Sequence, residues 1–373
     1  MTSLHKTALN GAIALLLVSV GLFLFGVPLV AAPLLTACFA LAAFGVRGND
    51  KLRGISFSLL ILACVSLAMD YPAPFVSWGE FRLSTLIVPL LQIIMFGMGT
   101  QISAKDFIGV AKDPRGVGIG ILCQFTIMPF VGAGLALAFG LEPEVAAGIV
   151  LIGAAPSGLA SNVMAYIGKA NLALSVTLTT VATLLAPFIT PFYMQWLAGE
   201  LIPIDAWDMM KDIIRITIVP IVLGLLVNYL LQWLHAKTGW LKRLMPKLSM
   251  AGIALILMIM TAGGRDNLLA IGFLLILISL IHNVAGYVLG YWSCRLLGLD
   301  EKSCRTISFE VGLQNAGLAT GLATEMGKAA TLGLVPTVFG SLMNITGASL
   351  ATFWADKPPR DEQTAPAGQV EAA

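Results

Sequence analysis

The sequence predicts an all-α protein that crosses a membrane many times. Its 373 residues are 58% hydrophobic and 11% charged, with a mean hydropathy of +0.89. Soluble domains carry about a quarter charged residues. Apolar runs of roughly 17 to 25 residues, the length that crosses a bilayer, recur to the end of the chain. We predict twelve spans, near residues 9–26, 29–46, 54–70, 84–101, 116–140, 145–167, 172–198, 212–234, 248–263, 268–296, 306–326 and 332–354.

The first two predicted spans are separated only by Gly26-Val-Pro28. A cleaved signal peptide is the alternative for the first, because Lys6 precedes an apolar run and Leu29-Val-Ala-Ala32 could be cut. We favour a retained helical hairpin, because an even number of spans agrees with the distribution of charge.

Positive charge is concentrated on one side of the predicted spans. Of the 22 Lys and Arg residues, 17 lie on the same side of the membrane as the N-terminus. The other five are Arg82, Lys211, Arg215, Arg265 and Lys328. Positively charged loops stay in the cytoplasm. We therefore expect both termini to be cytoplasmic, with Lys112 and Lys242 inside and Glu142 and Glu200 outside.

Two short patterns recur at nearly one offset. Gly158-Leu-Ala160 and Gly168-Lys-Ala170 are repeated as Gly317-Leu-Ala319 and Gly327-Lys-Ala329, and Gly140–Glu144 matches Gly298–Lys302. Five spans in each half would place the halves in opposite orientations, and inverted repeats with a site between them are typical of transporters. We divide the chain into an N-terminal hairpin with its loop, two inverted five-helix repeats and a disordered polar tail, at residues 1–53, 54–198, 199–356 and 357–373.

The segment Phe309–Gly321 lies in a predicted span yet carries Glu310, Gln314 and Asn315 among three glycines. A carboxylate in hydrocarbon is costly unless it faces a cavity, an ion or a counter-charge. Glycines let a helix unwind and offer its carbonyls as ligands. We interpret the segment as a broken helix with a cation site; a glutamate that pairs with another helix for packing is the alternative.

A second break is predicted within Gly153–Asn162, where Pro156 and Gly158 interrupt an apolar helix. Two crossed, broken helices would direct their half-helix N-termini, with partial positive charge, at an anionic substrate. A simple packing kink at Pro156 is the alternative.

Oxygen-bearing side chains surround both breaks. Ser161 and Asn162 follow the first break, Ser175 and Thr179 share one face of the next helix, and Gln124 stands alone in an apolar span. Each alone would more often hydrogen-bond a neighbouring helix. As a group beside a carboxylate they indicate sodium ligands.

Two further polar positions have open interpretations. His282-Asn283 stands in the second half where Gln124 stands in the first, and we favour a buried neutral histidine over a proton relay. Asn344 either lines a substrate cavity or joins two helices.

The sequence gives little support to enzymatic chemistry. Five cysteines and three histidines are scattered without the spacing of a zinc or iron–sulfur site. No phosphate-binding loop or nucleophile motif is present. We predict no enzymatic activity, no nucleic-acid partner and no obligate protein partner.

The motifs around these residues resemble the bile acid:sodium symporter family over about residues 72–356. The similar stretches are Phe309–Ala319, Ser161-Asn-Val-Met164 with Ala173–Val176, Ile94–Gly99 and Gln124–Pro129. Bacterial members have ten spans, with a core domain that holds two crossed, broken helices and a panel domain that moves against it. The resemblance implies the same fold here, plus the N-terminal hairpin, in a bacterial inner membrane.

The resemblance also implies two co-transported sodium ions. One site would comprise Ser161, Asn162, Ser175, Thr179 and Glu310. The other would comprise Gln124, Glu310, Gln314 and the carbonyls of Val311 and Leu313.

The implied substrate contacts are Ser157, Leu159, Asn315, Met343 and Asn344. Leu159 and Met343 replace polar residues common in the family, which favours a small organic anion over a bile acid. We predict a sodium-coupled symporter that imports such an anion by alternating access. The alternatives are a proton-coupled or uncoupled carrier, and a membrane sensor of the same fold that does not transport.

Overall fold

The computed structural model describes residues 2–49, 53–102, 113–234 and 239–359. Of the predicted features, Lys112 and nearly all of the polar tail lie outside these residues. The described helices are α1 Ser3–Leu24, α2 Pro28–Gly45, α3 Ser56–Asp70, α4 Ala73–Val76, α5 Ile87–Gly99, α6 Pro114–Ala138, α7 Pro143–Ala154, α8 Ala160–Ile167, α9 Leu172–Ala198, α10 Ala206–Ile213, α11 Val219–Trp233, α12 Gly239–Gly263, α13 Arg265–Leu296, α14 Glu301–Gly312, α15 Ala316–Glu325 and α16 Leu334–Ala355.

Three short 3₁₀ turns, one π-helical turn and one small hairpin complete the described structure. The 3₁₀ turns are Val46–Gly48, Arg53–Ile55 and Leu83–Leu86, and the π-helical turn is Ile214–Ile218. Strands β1 Ser77–Trp78 and β2 Phe81–Arg82 pair antiparallel, with Trp78 opposite Phe81. Gly79, at φ +62°, allows the tight turn between them.

The helices confirm a polytopic membrane protein. Among the described residues, eight helical segments are long and apolar enough to cross a bilayer. The shorter apolar helices α3 and α5 and two pairs of half-helices, α7 with α8 and α14 with α15, occupy the remaining predicted spans. Large apolar side chains cover much of the outer surface, which suits a protein surrounded by lipid.

Helix α12 starts earlier than its apolar run suggests. We predicted a span from residue 248, whereas the helix begins at Gly239 and includes Arg243 and Lys247. A helix does not end where the hydrocarbon ends, because its backbone hydrogen bonds continue equally well in the polar layer. Hydropathy therefore located the apolar part of this helix and missed its first two turns.

One group of helices, here called the four-helix group, consists of α3, α5, α11 and α12. Helix α5 packs against α11 and α12, and α12 packs against α3. Gly99 of α5 lies against the Ile221 backbone, and Gly224 of α11 lies against the Phe96 carbonyl, with no room for a Cβ at either glycine. Small residues permit this close approach of membrane helices.

The second group, here called the crossing group, contains both pairs of half-helices together with α6, α9, α13 and α16. Helix α14 packs against α13, α6 and α9, and α7 packs against α6, α9 and α16. Their shared core is apolar and includes Ile149, Leu151, Phe309 and Phe339, which are fully buried. Both breaks are enclosed by this group.

The N-terminal hairpin is attached to the four-helix group. Helix α1 packs on α2, and α2 packs on α3. The Thr36 hydroxyl donates to Ser66 Oγ at 2.8 Å, and Arg47 Nε donates to Ser56 Oγ at 2.9 Å. These contacts lie toward opposite ends of α3, so the hairpin is joined to that helix along its length.

Candidate functional site

Both predicted breaks are present. Helix α7 ends at Ala154 and α8 begins at Ala160, while α14 ends at Gly312 and α15 begins at Ala316. Pro156 lacks the N–H that would continue the first helix. In the second, Asn315 turns its side chain back to accept from the Leu318 N–H at 3.0 Å, which caps α15.

The two breaks cross each other and pair as a short antiparallel bridge. Ser157 lies opposite Gln314. The Gly158 N–H donates to the Leu313 carbonyl at 2.8 Å, and the Asn315 N–H donates to the Pro156 carbonyl at 2.7 Å. A Cβ on Gly158 would lie 2.8 Å from the Gln314 carbonyl oxygen. Glycine is therefore required where the two backbones meet.

Polar side chains from neighbouring helices satisfy carbonyls that the breaks leave free. Thr190 Oγ1 donates to the Ala154 carbonyl at 2.7 Å, and Asn283 Nδ2 donates to the Gly312 carbonyl at 2.7 Å. An unpaired buried carbonyl is costly. Sequence reasoning missed the role of Thr190, although its place between Pro187 and Pro191 in α9 was an available signal.

The Glu310 carboxylate, 2% exposed, lies in a cluster of oxygen atoms. Ser175 Oγ is 2.5 Å from Oε1, and Thr179 Oγ1 is 2.9 Å from Oε2. The Asn162 side-chain oxygen is 2.8 Å from Ser175 Oγ, and Ser161 Oγ is 3.3 Å from Thr179 Oγ1. The structure thus brings together all five residues of the first predicted sodium site.

This cluster contains more oxygen–oxygen contacts than its hydroxyl hydrogens can satisfy. The hydroxyls of Ser161, Ser175 and Thr179 make seven contacts with oxygen acceptors or with one another. Each hydroxyl carries one hydrogen, so at most three contacts are hydrogen bonds at one time. The ion pairs of the described residues do not include Glu310. The donor set therefore fits a small, hard cation that binds oxygen.

Three residues of the second predicted site, Gln124, Gln314 and Val311, are also close together. Gln124 Nε2 donates to Gln314 Oε1 at 2.8 Å and to the Ala155 carbonyl at 3.1 Å, and Gln314 Nε2 donates to the Val311 carbonyl at 2.5 Å. Gln124 Oε1 is buried without a hydrogen-bond partner. Among the described hydrogen bonds, none joins Glu310 to this second cluster.

The predicted substrate contacts divide between the crossing and α16. Ser157, Leu159 and Asn315 lie at the two breaks, and the Ser157 hydroxyl is buried without a hydrogen-bond partner. Asn344 Nδ2 donates to the carbonyl of Gly340 in its own helix at 2.6 Å. The structure brings the first three together and places Met343 and Asn344 on a neighbouring helix.

His282 lies behind the first break. Its Nε2 is 2.9 Å from the Met128 carbonyl, and its ring packs edge-on against Phe339. Asn283 Oδ1 accepts from the Thr346 hydroxyl at 2.5 Å. His282 and Asn283 therefore join α13 to α6 and to α16.

Comparison with known proteins gives one consistent result. The Sodium Bile acid symporter family matches residues 88–271. An uncharacterized sodium-dependent transporter of Bacillus subtilis is 37% identical over 313 residues, which cover 84% of this chain and 94% of the relative. The human ileal sodium/bile acid cotransporter is 34% identical over 245 residues, which cover 64% of this chain and 68% of the relative.

The chain is also similar to a plant transporter. A probable sodium/metabolite cotransporter of Arabidopsis thaliana chloroplasts is 32% identical over 272 residues, or 72% of this chain and 67% of the relative. The named relatives are transporters rather than enzymes. With its crossed half-helices and its membrane-spanning helices, the chain belongs to the sodium bile acid symporter family, whose members are sodium-dependent membrane transporters.

Proposed function

We propose that the protein is a symporter that uses the sodium gradient to import a small organic anion by alternating access. The observation that carries this proposal is the Glu310 cluster, in which two hydroxyls contact a buried carboxylate and the three hydroxyls of the cluster have too few hydrogens for their contacts. A sodium ion would neutralise the carboxylate and accept the surplus oxygen atoms as ligands. The coupling ion would then bind directly beside the crossing.

The crossing itself supports an anionic substrate. Helices α8 and α15 begin there, at Ala160 and Ala316. Each helix N-terminus carries a partial positive charge of about half a unit. The Ser157 hydroxyl, which is buried without a hydrogen-bond partner, and the Asn315 side chain offer polar contacts at the same place. A carboxylate with a small apolar body suits these groups.

We propose that residues 54–198 and 199–356 are inverted repeats. Each contains one pair of half-helices, and in each the second half-helix is followed closely by a Gly-Lys-Ala sequence, at Gly168 and Gly327. This correspondence supports a pseudo-two-fold arrangement with the site at its centre. Alternating access is the motion that such an arrangement allows.

We further propose two sodium ions per cycle, the second bound by Gln124, Glu310, Gln314 and the carbonyls of Val311 and Leu313. The unpartnered Gln124 Oε1 supports this assignment. A tenfold sodium gradient supplies about 1.4 kcal/mol per ion, and one net charge supplies about 2.3 kcal/mol per 100 mV. With a monoanion the sum is about 5 kcal/mol, which corresponds to accumulation of roughly a few thousand-fold.

The proposed orientation places both termini in the cytoplasm of a bacterium, with the chain in its inner membrane. The face that holds the C-terminal end of α15, here called the Glu325 face, is then external. The distribution of Lys and Arg supports this orientation.

The test is a thermal-stability screen of purified protein with small carboxylates, in sodium chloride and in choline chloride. A symporter predicts a carboxylate that stabilises the protein only when sodium is present. Equal stabilisation in both salts would favour a proton-coupled or uncoupled carrier. Sodium-dependent binding without uptake into vesicles would favour a sensor.

A further inference from the structure

The contact between the four-helix group and the crossing group on the Glu325 face has two layers. In the inner layer, the Leu91 side chain of α5 is 1% exposed and lies against α15. A Cβ on Gly317 would lie 3.0 Å from Leu91 Cδ2, and Gly321 leaves no room for a Cβ beside Leu91 Cδ1. The Leu91 side chain therefore packs against a part of α15 where the absence of a Cβ at Gly317 and Gly321 leaves room for it.

In the outer layer, an ion pair joins α15 to the π-helical turn that precedes α11. Arg215 Nη2 donates to Glu325 Oε1 at 2.8 Å, from the π-helical turn before α11 to the last residue of α15. Gln92 Nε2 donates to the Arg215 carbonyl at 3.3 Å, which ties this turn to α5. The side chains of Arg215 and Glu325 are 61% and 22% exposed. Such an exposed pair is easily broken.

A cleft of about 400 Å³ opens over these layers. Its walls come from α5 and the 3₁₀ turn before it, from Arg215 and from the end of α15, and the lining residues are Ser84, Thr85, Val88, Pro89, Gln92, Arg215, Thr324 and Glu325. Leu91 closes the interface one helical turn away from Val88 in this wall. The Arg215–Glu325 pair thus lines the cleft, and the buried Leu91 lies on the same helix as Val88, Pro89 and Gln92.

We propose that Leu91 against Gly317 and Gly321, capped by the Arg215–Glu325 pair, is the external gate of the transport path. The inference rests on the proposed alternating-access function and adds the residues that control entry. The two layers have different tasks. The leucine excludes water and ions, and the ion pair biases the gate toward closure by an amount that thermal motion can overcome.

The reporter for the ion-pair layer is Leu91→Cys, because a thiol at this buried position is exposed more often when the Arg215–Glu325 pair is broken. The reporter with its ion pair intact sets the baseline labelling rate. A membrane-impermeant sulfonated maleimide is added outside intact cells, with the parent protein and its native cysteines as the blank. Loss of an exposed ion pair costs up to about 1 kcal/mol, so Arg215→Gln or Glu325→Gln should raise the labelling rate by up to about fivefold.

A matched control exists on the preceding helix. Lys211 and Asp208 form an ion pair at 2.8 Å that is also exposed but lies within α10. Lys211→Gln should leave the labelling rate of the reporter unchanged. The exchange of charges in Arg215→Glu with Glu325→Arg should restore slow labelling. Equal labelling in all variants, or failure of the exchange to restore it, would overturn the gate.

The gate and the proposed function can fail separately. Sodium-dependent thermal stabilisation of the purified reporter tests the cation site without any movement of the gate. Stabilisation by sodium with no effect of Arg215→Gln on labelling would refute the gate alone. The predicted labelling pattern in a protein that ignores sodium would refute the proposed coupling and leave the gate standing. Labelling only from the cytoplasmic side would contradict the assignment of the gate as external.

Discussion

The most direct perturbation of the candidate site is Glu310→Gln. The substitution keeps the size of the side chain and one oxygen, and it removes the negative charge from the cluster. Ser175 and Thr179 lie 2.5 and 2.9 Å from the two carboxylate oxygens. A sodium ion shared by these ligands would lie within about 4 Å of the carboxylate, where two unit charges attract by about 4 kcal/mol at an effective dielectric constant of about 20.

A loss of about 4 kcal/mol corresponds to an affinity roughly 1,000-fold weaker. At a sodium concentration 100 times its Kd, the parent gains about 2.7 kcal/mol of stability from one bound ion. The variant at the same concentration would gain less than about 0.1 kcal/mol. The protein should stay folded, because glutamine does not place an ionised group in the apolar core.

The assay is thermal unfolding of purified protein across a sodium series, with choline chloride keeping ionic strength constant. Glu142→Gln is the control, since Glu142 is an exposed acid at the start of α7. The control should retain the parent's sodium response. Undiminished sodium-dependent stabilisation of Glu310→Gln would refute the assignment of this carboxylate as the ion ligand.

Three other variants test the crossing and the helices around it. Ser175→Ala with Thr179→Ala should weaken and flatten the sodium dependence of stabilisation. Thr180→Ala is the control, because the Thr180 hydroxyl donates to a carbonyl of its own helix at 2.8 Å, and it should keep the parent's sodium dependence. Equal responses of the two variants would contradict the first sodium site. Thr190→Val should lower the free energy of unfolding by about 1 kcal/mol, because the last carbonyl of α7 loses its donor; an unchanged melting temperature would contradict that role. Arg305→Met should lower the free energy of unfolding by about 3–5 kcal/mol. The buried Arg305 guanidinium pairs with the Glu301 carboxylate at 3.1 Å and donates to the carbonyls of Gly168, Trp354 and Lys357. An unchanged melting temperature would show that these contacts are not required for stability.

The fold was largely predictable because membrane helices leave strong signals. Apolar length marked the spans, and Pro156, Gly158 and the glycines after Glu310 marked the two breaks. The early start of α12 at Gly239 was missed, since hydropathy does not report how far a helix extends beyond the lipid.

Residue types predicted a group of oxygen-bearing side chains around Glu310, the resemblance to the family assigned them to one site, and neither predicted the geometry. Chain spacing alone does not show that Thr190 reaches the end of α7, or that Gln124 meets Gln314 at 2.8 Å. These contacts join residues distant in sequence, and they depend on how the helices cross. The contact of Leu91 with Gly321 is of the same kind, and no local pattern indicates it.

The measurement that tests the central claim most directly is uptake into proteoliposomes of the carboxylate that gives the largest sodium-dependent stabilisation. Sodium is varied outside at constant ionic strength, and the membrane potential is set with potassium and valinomycin. The proposed coupling of two sodium ions to a monoanion predicts uptake that is sigmoidal in sodium and faster when the interior is negative. Uptake at the same rate in choline, indifferent to the membrane potential, would contradict sodium coupling.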